Sequence, residues 1–256
     1  MRLRAAALGV LAHPGAVATG LCALVLHGVQ GAPARVRPEV AFPDGSSREA
    51  WTPVRIRRIP LRRWVLVDGL RCATVVDALA QSIPELDRRH AVAVMDSALH
   101  RKLLTTAELD RAHDYARWHA GVARTHGWWA EADARAESPA ETWARLSCVD
   151  AGVPPDMLQL KAFDRRGRFV ARVDLAWFLP DGRVLLVEID GIDPHSTPEA
   201  LFEDRRRQNR IVTDRTVVRR YTGADAWAGT VAHEMAEILR STGWRPGGPA
   251  PETFTV

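Results

Sequence analysis

Two apolar runs in the C-terminal half carry acids that a protein core does not accept without compensation. Val173-Asp174-Leu175-Ala176-Trp177 is followed, after the turn signal Pro180-Asp181-Gly182, by Val184-Leu185-Leu186-Val187-Glu188-Ile189-Asp190-Gly191. Short apolar runs separated by a Pro/Gly turn read as a β-hairpin. Strand alternation puts Glu188 and Asp190, two residues apart, on one side of the second strand. With Asp174 across from them, three carboxylates converge. Ionised carboxylates that close together repel and resist leaving water. A hard divalent cation is the usual compensation, because Mg²⁺ takes oxygen ligands and often only one or two carboxylates. Solvated or capping acids at strand ends are the plain alternative, and the spacing alone leaves both open.

The surrounding pattern predicts a complete domain. Ser138-Pro139-Ala140-Glu141 opens a helix: Ser138 caps, Pro139 takes the first helical position and Glu141 completes a capping box. Strands are expected over 157–163, 169–177 and 184–190, with a turn at 164–168. A helix opens at Thr197-Pro198-Glu199 and ends in Arg205-Arg206-Arg207-Gln208-Asn209-Arg210. A strand over 216–221, a helix over 224–239 and a disordered Pro/Gly-rich tail follow. The order is α-βββ-α-β with a mixed sheet.

Asp174, then Glu188-Ile189-Asp190-Gly191, then His195, Asp204 and Arg207 form an ordered series. Together with Ser138-Pro139-Ala140-Glu141, Arg145, Leu146 and Ala151-Gly152-Val153-Pro154, it resembles the very-short-patch-repair-like (Vsr-like) endonuclease branch of the PD-(D/E)XK superfamily. The resemblance covers about residues 137–228. It is closest to an actinobacterial group in which that domain follows an AbiEi-antitoxin-like N-terminal region. The resemblance implies a restriction-endonuclease-like fold that hydrolyses DNA phosphodiesters in defence or repair, with Mg²⁺ or Mn²⁺ as cofactor. It implies catalytic roles for Asp174, Glu188, Asp190 and His195, and metal ligation by Asp174, Glu188 and Glu141 with the Ile189 carbonyl. Nucleic-acid contacts fall to Arg206, Arg207 and Arg210. One position departs from the family: Asp190 stands where the superfamily carries a lysine, and Lys161 on the first strand is a candidate to supply that charge. For Glu141 the capping role stands beside the metal role. For Arg207 an i, i+4 pair with Glu203 stands beside phosphate binding.

Upstream, residues 1–135 are expected as a helical and winged-helix-like AbiEi-type domain, residues 136–243 as the nuclease domain and 244–256 as the tail. Met1-Arg2-Leu3-Arg4 followed by the apolar run over 5–12 reads as a short helix rather than a leader, since His13-Pro14 breaks the run where a cleavage site would lie. Helices are predicted over 16–28, 73–81 and 84–101, and another opens at the capping box Thr105-Thr106-Ala107-Glu108. Strands are expected over 35–42, 54–59 and 64–67, with Asp68-Gly69 closing the last two as a pair. Val54-Arg55-Ile56-Arg57-Arg58-Ile59 reads either as a phosphate-contacting ribbon or as an amphipathic strand with its arginines in water.

Composition narrows the class. The 256 residues suit one large or two small domains, and the net charge of +4 is modest. The basic residues are nearly all arginine, Lys102 and Lys161 being the lysines. Arginine suits bidentate phosphate binding, and a GC-rich genome gives the same bias. Cys22, Cys72 and Cys148 are far apart and odd in number, which predicts reduced core thiols in a cytoplasmic protein. No apolar run reaches the roughly 18 residues of a membrane span. The partners expected are DNA and a toxin or repair protein. A DNA-binding transcriptional regulator or antitoxin with a catalytically inactive nuclease fold is the alternative.

Overall fold

The computed structural model describes residues 1–46, 53–59, 61, 63–190 and 210–256. The chain divides into two compact units, Met1–Pro139 and Ala140–Val256. Each is a mixed α/β unit built on its own five-stranded mixed sheet. No described helix is long and apolar enough to cross a membrane. His195, Asp204, Arg206, Arg207 and the helix expected over 197–210 lie outside the described residues, apart from Arg210.

In the first unit α1 (Arg2–Ala12), β1 (Val17–Ala18) and α2 (Gly20–Leu26) precede β2 (Glu39–Ala41), β3 (Arg55–Arg57), β4 (Trp64–Val67) and β5 (Leu70–Ala73). Four helices follow: α3 (Val75–Ser82), α4 (Arg88–His100), α5 (Thr106–Ala116) and α6 (His126–Trp129). The sheet order is β3-β2-β1-β5-β4. Asp68 and Gly69 close a hairpin, but its strands are β4 and β5. Both turn residues have positive φ, 47° and 79°, as a tight hairpin turn demands. The strand expected to pair with β4 instead lies at the opposite edge, where β3 runs parallel to β2. The helix predicted over 16–28 starts late, because Val17 and Ala18 form the central strand. Farther on, Asp87 caps α4 with its side chain, so Pro84 falls in a separate 3₁₀ turn. The capping box at Thr105 and Glu108 forms as read.

The basic strand departs from simple alternation. Arg57 is 7% exposed, the opposite of a solvated position. Its Nε donates to Glu39 Oε2 at 2.9 Å, and its two terminal nitrogens donate to Glu85 at 3.1 and 2.9 Å. Glu39, 5% exposed, needs that partner, since a buried carboxylate without one is very costly. Arg55 adds a bidentate pair to Glu85 at 2.9 and 3.0 Å. Glu39 Oε1 also accepts the Leu21 N–H at 2.9 Å. That approach requires glycine at position 20: φ there is +51°, and a Cβ would lie 2.0 Å from Glu39 Oε1.

The second unit begins with α7 (Pro139–Asp150) and the antiparallel meander β6 (Met157–Phe163), β7 (Phe169–Phe178) and β8 (Val184–Asp190). β9 (Thr216–Thr222), α8 (Gly223–Ala228), α9 (Thr230–Thr242) and β10 (Thr253–Thr255) complete it. The sheet order is β10-β6-β7-β8-β9, with β9 parallel to β8 and β10 parallel to β6. The single helix expected over 224–239 is two, broken by Gly229 at φ +83°. The tail expected to be disordered carries β10, because the outer edge of β6 is open to it and Phe254 is buried there. Trp244 is buried too, its indole N–H donating to Asp156 Oδ2 at 2.9 Å.

Two apolar clusters cover the faces of this sheet. Leu175, Trp177, Leu185, Val187 and Ile189 pack with Ala144 and Cys148 of α7 and Met235 and Leu239 of α9. Val173, Ala176, Val184 and Leu186 pack on the other side with Ile211 and Phe254. Regular alternation keeps residues two apart on one face. Leu158 and Leu160 nevertheless belong to different clusters, as do Val173 and Leu175. Gln159 sits at the break with φ +55°, a conformation uncommon for a residue other than glycine.

Candidate active site

The break at Gln159 and the end of the β7–β8 ladder meet at one place. The last ladder pair in that direction is Leu175 with Val187, and Asp174 follows at once. Asp174 Oδ2 accepts the Ile189 N–H at 2.8 Å, so its carboxyl turns back onto β8. Its other oxygen accepts from Gln159 Nε2 at 3.2 Å. The same amide nitrogen donates to Glu141 Oε2 at 2.8 Å. Glu141 stands in the first turn of α7 and is 7% exposed. A helix N-terminus favours negative charge, which helps hold an acid there.

Glu188, 6% exposed, forms the far side of the cluster. The parallel register sets Glu188 beside Arg220 of β9, and Arg220 Nη2 donates to Glu188 Oε2. Three buried or half-buried carboxyls thus gather at one end of the meander: Glu141, Asp174 and Glu188. Asp190 is not part of the group; it is exposed at the end of β8. Arg220 is a cation beside Glu188, while Lys161 is exposed on β6. Arg220 has no motif to mark it in the sequence; only the β8–β9 register brings it to the acids.

The electrostatics single out Asp174. Burial, then the nearby charge of Glu141, pushes its carboxyl up from the ordinary 3.8 to about 7. Hydrogen bonds from the Ile189 N–H and the Gln159 amide oppose the shift, and Glu188 adds to it. Among the described residues its hydrogen-bond donors are neutral. A buried carboxyl raised this far is the kind of perturbation that accompanies functional sites.

The donor type suits a hard cation, since carboxylates are oxygen ligands. Among the described residues no cationic side chain bonds Asp174, and a bound cation would offset the push that burial and Glu141 exert on its carboxyl. Among the described residues, however, no three His, Cys, Asp or Glu side chains already stand as a ligand cage. The Gln159 amide bridges two of the acids, and Arg220 holds the third. Thiol chemistry is disfavoured throughout, because burial pushes Cys22, Cys72 and Cys148 up to about 12, 11 and 12. His113 and His126, separated in sequence, lie 2.9 Å apart between ring nitrogens, with His113 stacked on Trp129.

No family model matches the chain. It is 34% identical over 127 residues to an uncharacterized protein of Mycobacterium tuberculosis strain H37Rv, and equally to its counterpart in strain CDC 1551. The match takes in 50% of this chain and 45% of each relative, so the chain matches about half the length of these curated relatives. No solved structure matches.

Proposed function

We propose that the chain is a metal-dependent endonuclease-type hydrolase acting on phosphodiester bonds of DNA. The observation that carries the reading is the joining of Glu141 and Asp174 through the Gln159 amide, with Glu188 near enough to act on Asp174, whose carboxyl burial first and Glu141 next push up to about 7. The α-βββ order with β9 parallel to β8 accords with the restriction-endonuclease-like fold that the sequence resembles.

Asp174, Glu188 and Glu141 would hold Mg²⁺ or Mn²⁺ with the Ile189 carbonyl. When bound, the ion supplies a water of lowered pKa and stabilises charge on the phosphate. Gln159 keeps the Glu141 and Asp174 carboxyls aligned in the ion's absence. Arg220 supplies the positive charge that Asp190 cannot, from the neighbouring strand. Freed from Glu188, its guanidinium would meet a phosphate oxygen through two parallel hydrogen bonds. His195 as proton donor and Arg207 as phosphate contact enter from the resemblance, and Arg206 and Arg210 from the arginine run around Arg207. In the N-terminal unit the β4–β5 hairpin, with Trp64, Val65 and Leu66 exposed, would serve as the wing of a DNA- or partner-binding module.

A second reading has its own support. Arg220 on Glu188 is what a retired site would retain, and it favours a DNA-binding regulator or antitoxin with an inactive nuclease fold. One experiment decides between them. The full chain is incubated with supercoiled, linear and single-stranded DNA and with RNA, in Mg²⁺ and in Mn²⁺, alongside Asp174→Ala and Glu188→Ala. Metal-dependent cleavage lost in both variants supports the enzyme. No cleavage of any substrate by folded protein transfers the case to the regulator.

A further inference from the structure

A charged cavity of about 410 Å³ lies in the C-terminal unit. Its arginines are Arg165, Arg166, Arg168, Arg210 and Arg215, set against Asp164 and Asp214. We infer that this cavity is a phosphate-binding subsite for a nucleic-acid backbone. The inference rests on the nucleic-acid reading above but not on cleavage.

Three walls build the cavity, and each is fixed before any ligand arrives. The first is the β6–β7 turn. Asp164 Oδ1 accepts the backbone N–H groups of Arg166 and Arg168, both at 2.9 Å, and Gly167 takes φ +75° to close the turn. The second is the segment before β9. Thr216 Oγ1 accepts the Thr213 N–H at 2.8 Å and donates to the Ile211 carbonyl at 2.7 Å. The third is the end of β10, where the Val256 N–H donates to the Phe163 carbonyl at 2.9 Å.

Two of the arginines are already engaged. Arg168 Nε donates to Asp164 Oδ2 at 2.8 Å, and the Arg215 guanidinium lies 5.4 Å from the centre of the Phe254 ring. Among the described residues the side chains of Arg165, Arg166 and Arg210 make no hydrogen bond or ion pair. Guanidiniums gathered in excess of carboxylates repel one another unless an anion joins them. Phosphate is the anion that fits: it accepts bidentate guanidinium pairs, and threonine hydroxyls supply further contacts. Thr213 and Thr255 line the same cavity. Successive phosphates along one strand would meet Arg210 on one wall and Arg165 and Arg166 on another.

The test is binding of a short DNA duplex by the full chain in EDTA, where cleavage plays no part, across a salt series. The variant is Arg165→Gln/Arg166→Gln/Arg210→Gln; the control removes equal charge at Arg183, Arg240 and Arg245. Loss of two phosphate contacts should flatten the log–log salt slope by about 2 and weaken binding roughly ten- to hundredfold near 0.1 M salt. The control should change neither by more than a small fraction. Equal losses in variant and control would reduce the effect to net charge and overturn the subsite. Orthophosphate bound through the same arginines, with duplex affinity unchanged in the variant, would also overturn it by assigning the cavity to a free anion. Because EDTA removes the metal, a chain that binds through these arginines but never cleaves sinks the enzyme reading alone. A chain that cleaves and ignores the substitutions sinks the subsite alone.

Discussion

Each unit buries acids, and each deals with them differently. In the N-terminal unit Glu39 lies beneath a matched set: Arg57 touches it at 2.9 Å, Glu85 answers Arg57, and Arg55 answers Glu85. Two acids face two bases, and the geometry is bidentate where it counts. In the C-terminal unit Asp174 receives two neutral donors and has two acids for neighbours. Burial pushes both acids above their ordinary range, Asp174 to about 7 and Glu39 against the opposing pull of Arg57. A network that balances its own charge explains itself as structure. Among the described residues the cluster's cation, Arg220, reaches Glu188 and not Asp174. The contrast is therefore a functional argument, and it can be broken from either side.

The largest effect is expected at the unbalanced cluster and in activity. Asp174→Ala and Glu188→Ala should each lower cleavage at least ~10³-fold, about 4 kcal/mol in the barrier, as read in initial rates at saturating Mg²⁺. Circular dichroism should show both variants folded. Cleavage that survives either substitution would mean the acids are as structural as Glu39.

Next in size is the balanced network, where the readout is stability. Arg57→Ala leaves Glu39 buried with its main partner gone, a loss of roughly 3–5 kcal/mol in chemical denaturation. Converting both residues together, Glu39→Gln with Arg57→Met, should cost less than Arg57→Ala alone, because no uncompensated charge remains. If the double variant is worse than the single one, the pair does more than neutralise itself, and the comparison between the two units weakens.

The third prediction is a pH dependence, measured on protein freed of metal. Asp174 ionises near 3.8 when unfolded and near 7 in the fold. Below both values the carboxyl is protonated in both states and costs nothing. As pH rises from about 4 to about 7 the unfolded chain releases this proton first, so stability falls; above 7 the full loss is in place. A shift of this size corresponds to at most about 4 kcal/mol. Asp174→Asn should remove that slope and melt higher than the wild type at pH 8. Mg²⁺ should raise the melting point of the wild type and not of Asp174→Asn. A wild type whose stability is flat from pH 4 to 7, with Asp174→Asn no different, would show that the carboxyl is compensated after all.

How much of this was visible in the sequence depends on range. The meander strands were legible because each is an apolar run ended by a turn: β6 and β8 have the bounds expected, and β7 runs one residue longer. Local turn and cap chemistry was legible too, as at Thr105 and at Asp68-Gly69. Pairing was not, since nothing local tells Asp68-Gly69 whether its hairpin partner lies before β4 or after it. Arg57 looked solvated because alternation says nothing of a buried Glu39 supplied from another strand. β10 hid in a stretch whose prolines and glycines mask three residues that fit an open edge. At the site, Asp174 and Glu188 stood out as acids in apolar runs, whereas Glu141 was marked only by its cap and by family resemblance. Gln159 and Arg220 carried no signal, because one depends on a backbone reversal and the other on strand register.

Gln159 offers the finest test, and the smallest effect. It contributes two separable things: an amide that serves two acids, and a left-handed backbone that breaks the alternation of β6. Gln159→Gly keeps the break, relieves its strain and removes the amide. Gln159→Leu removes the amide and keeps the strain. Strain of this kind is worth on the order of 1 kcal/mol, so Gly should be the more stable of the two by about that much. Both should raise the Asp174 carboxyl further, since a hydrogen bond to its charged form is lost. The fall in metal-free stability should then extend to higher pH in both variants, by the same amount. A pH shift in neither variant would mean that the backbone break both retain, rather than the amide both lose, sets the charge balance at Asp174. In that case the unbalanced cluster would be a product of strand geometry, and its likeness to a ligand site would need no cation to explain it.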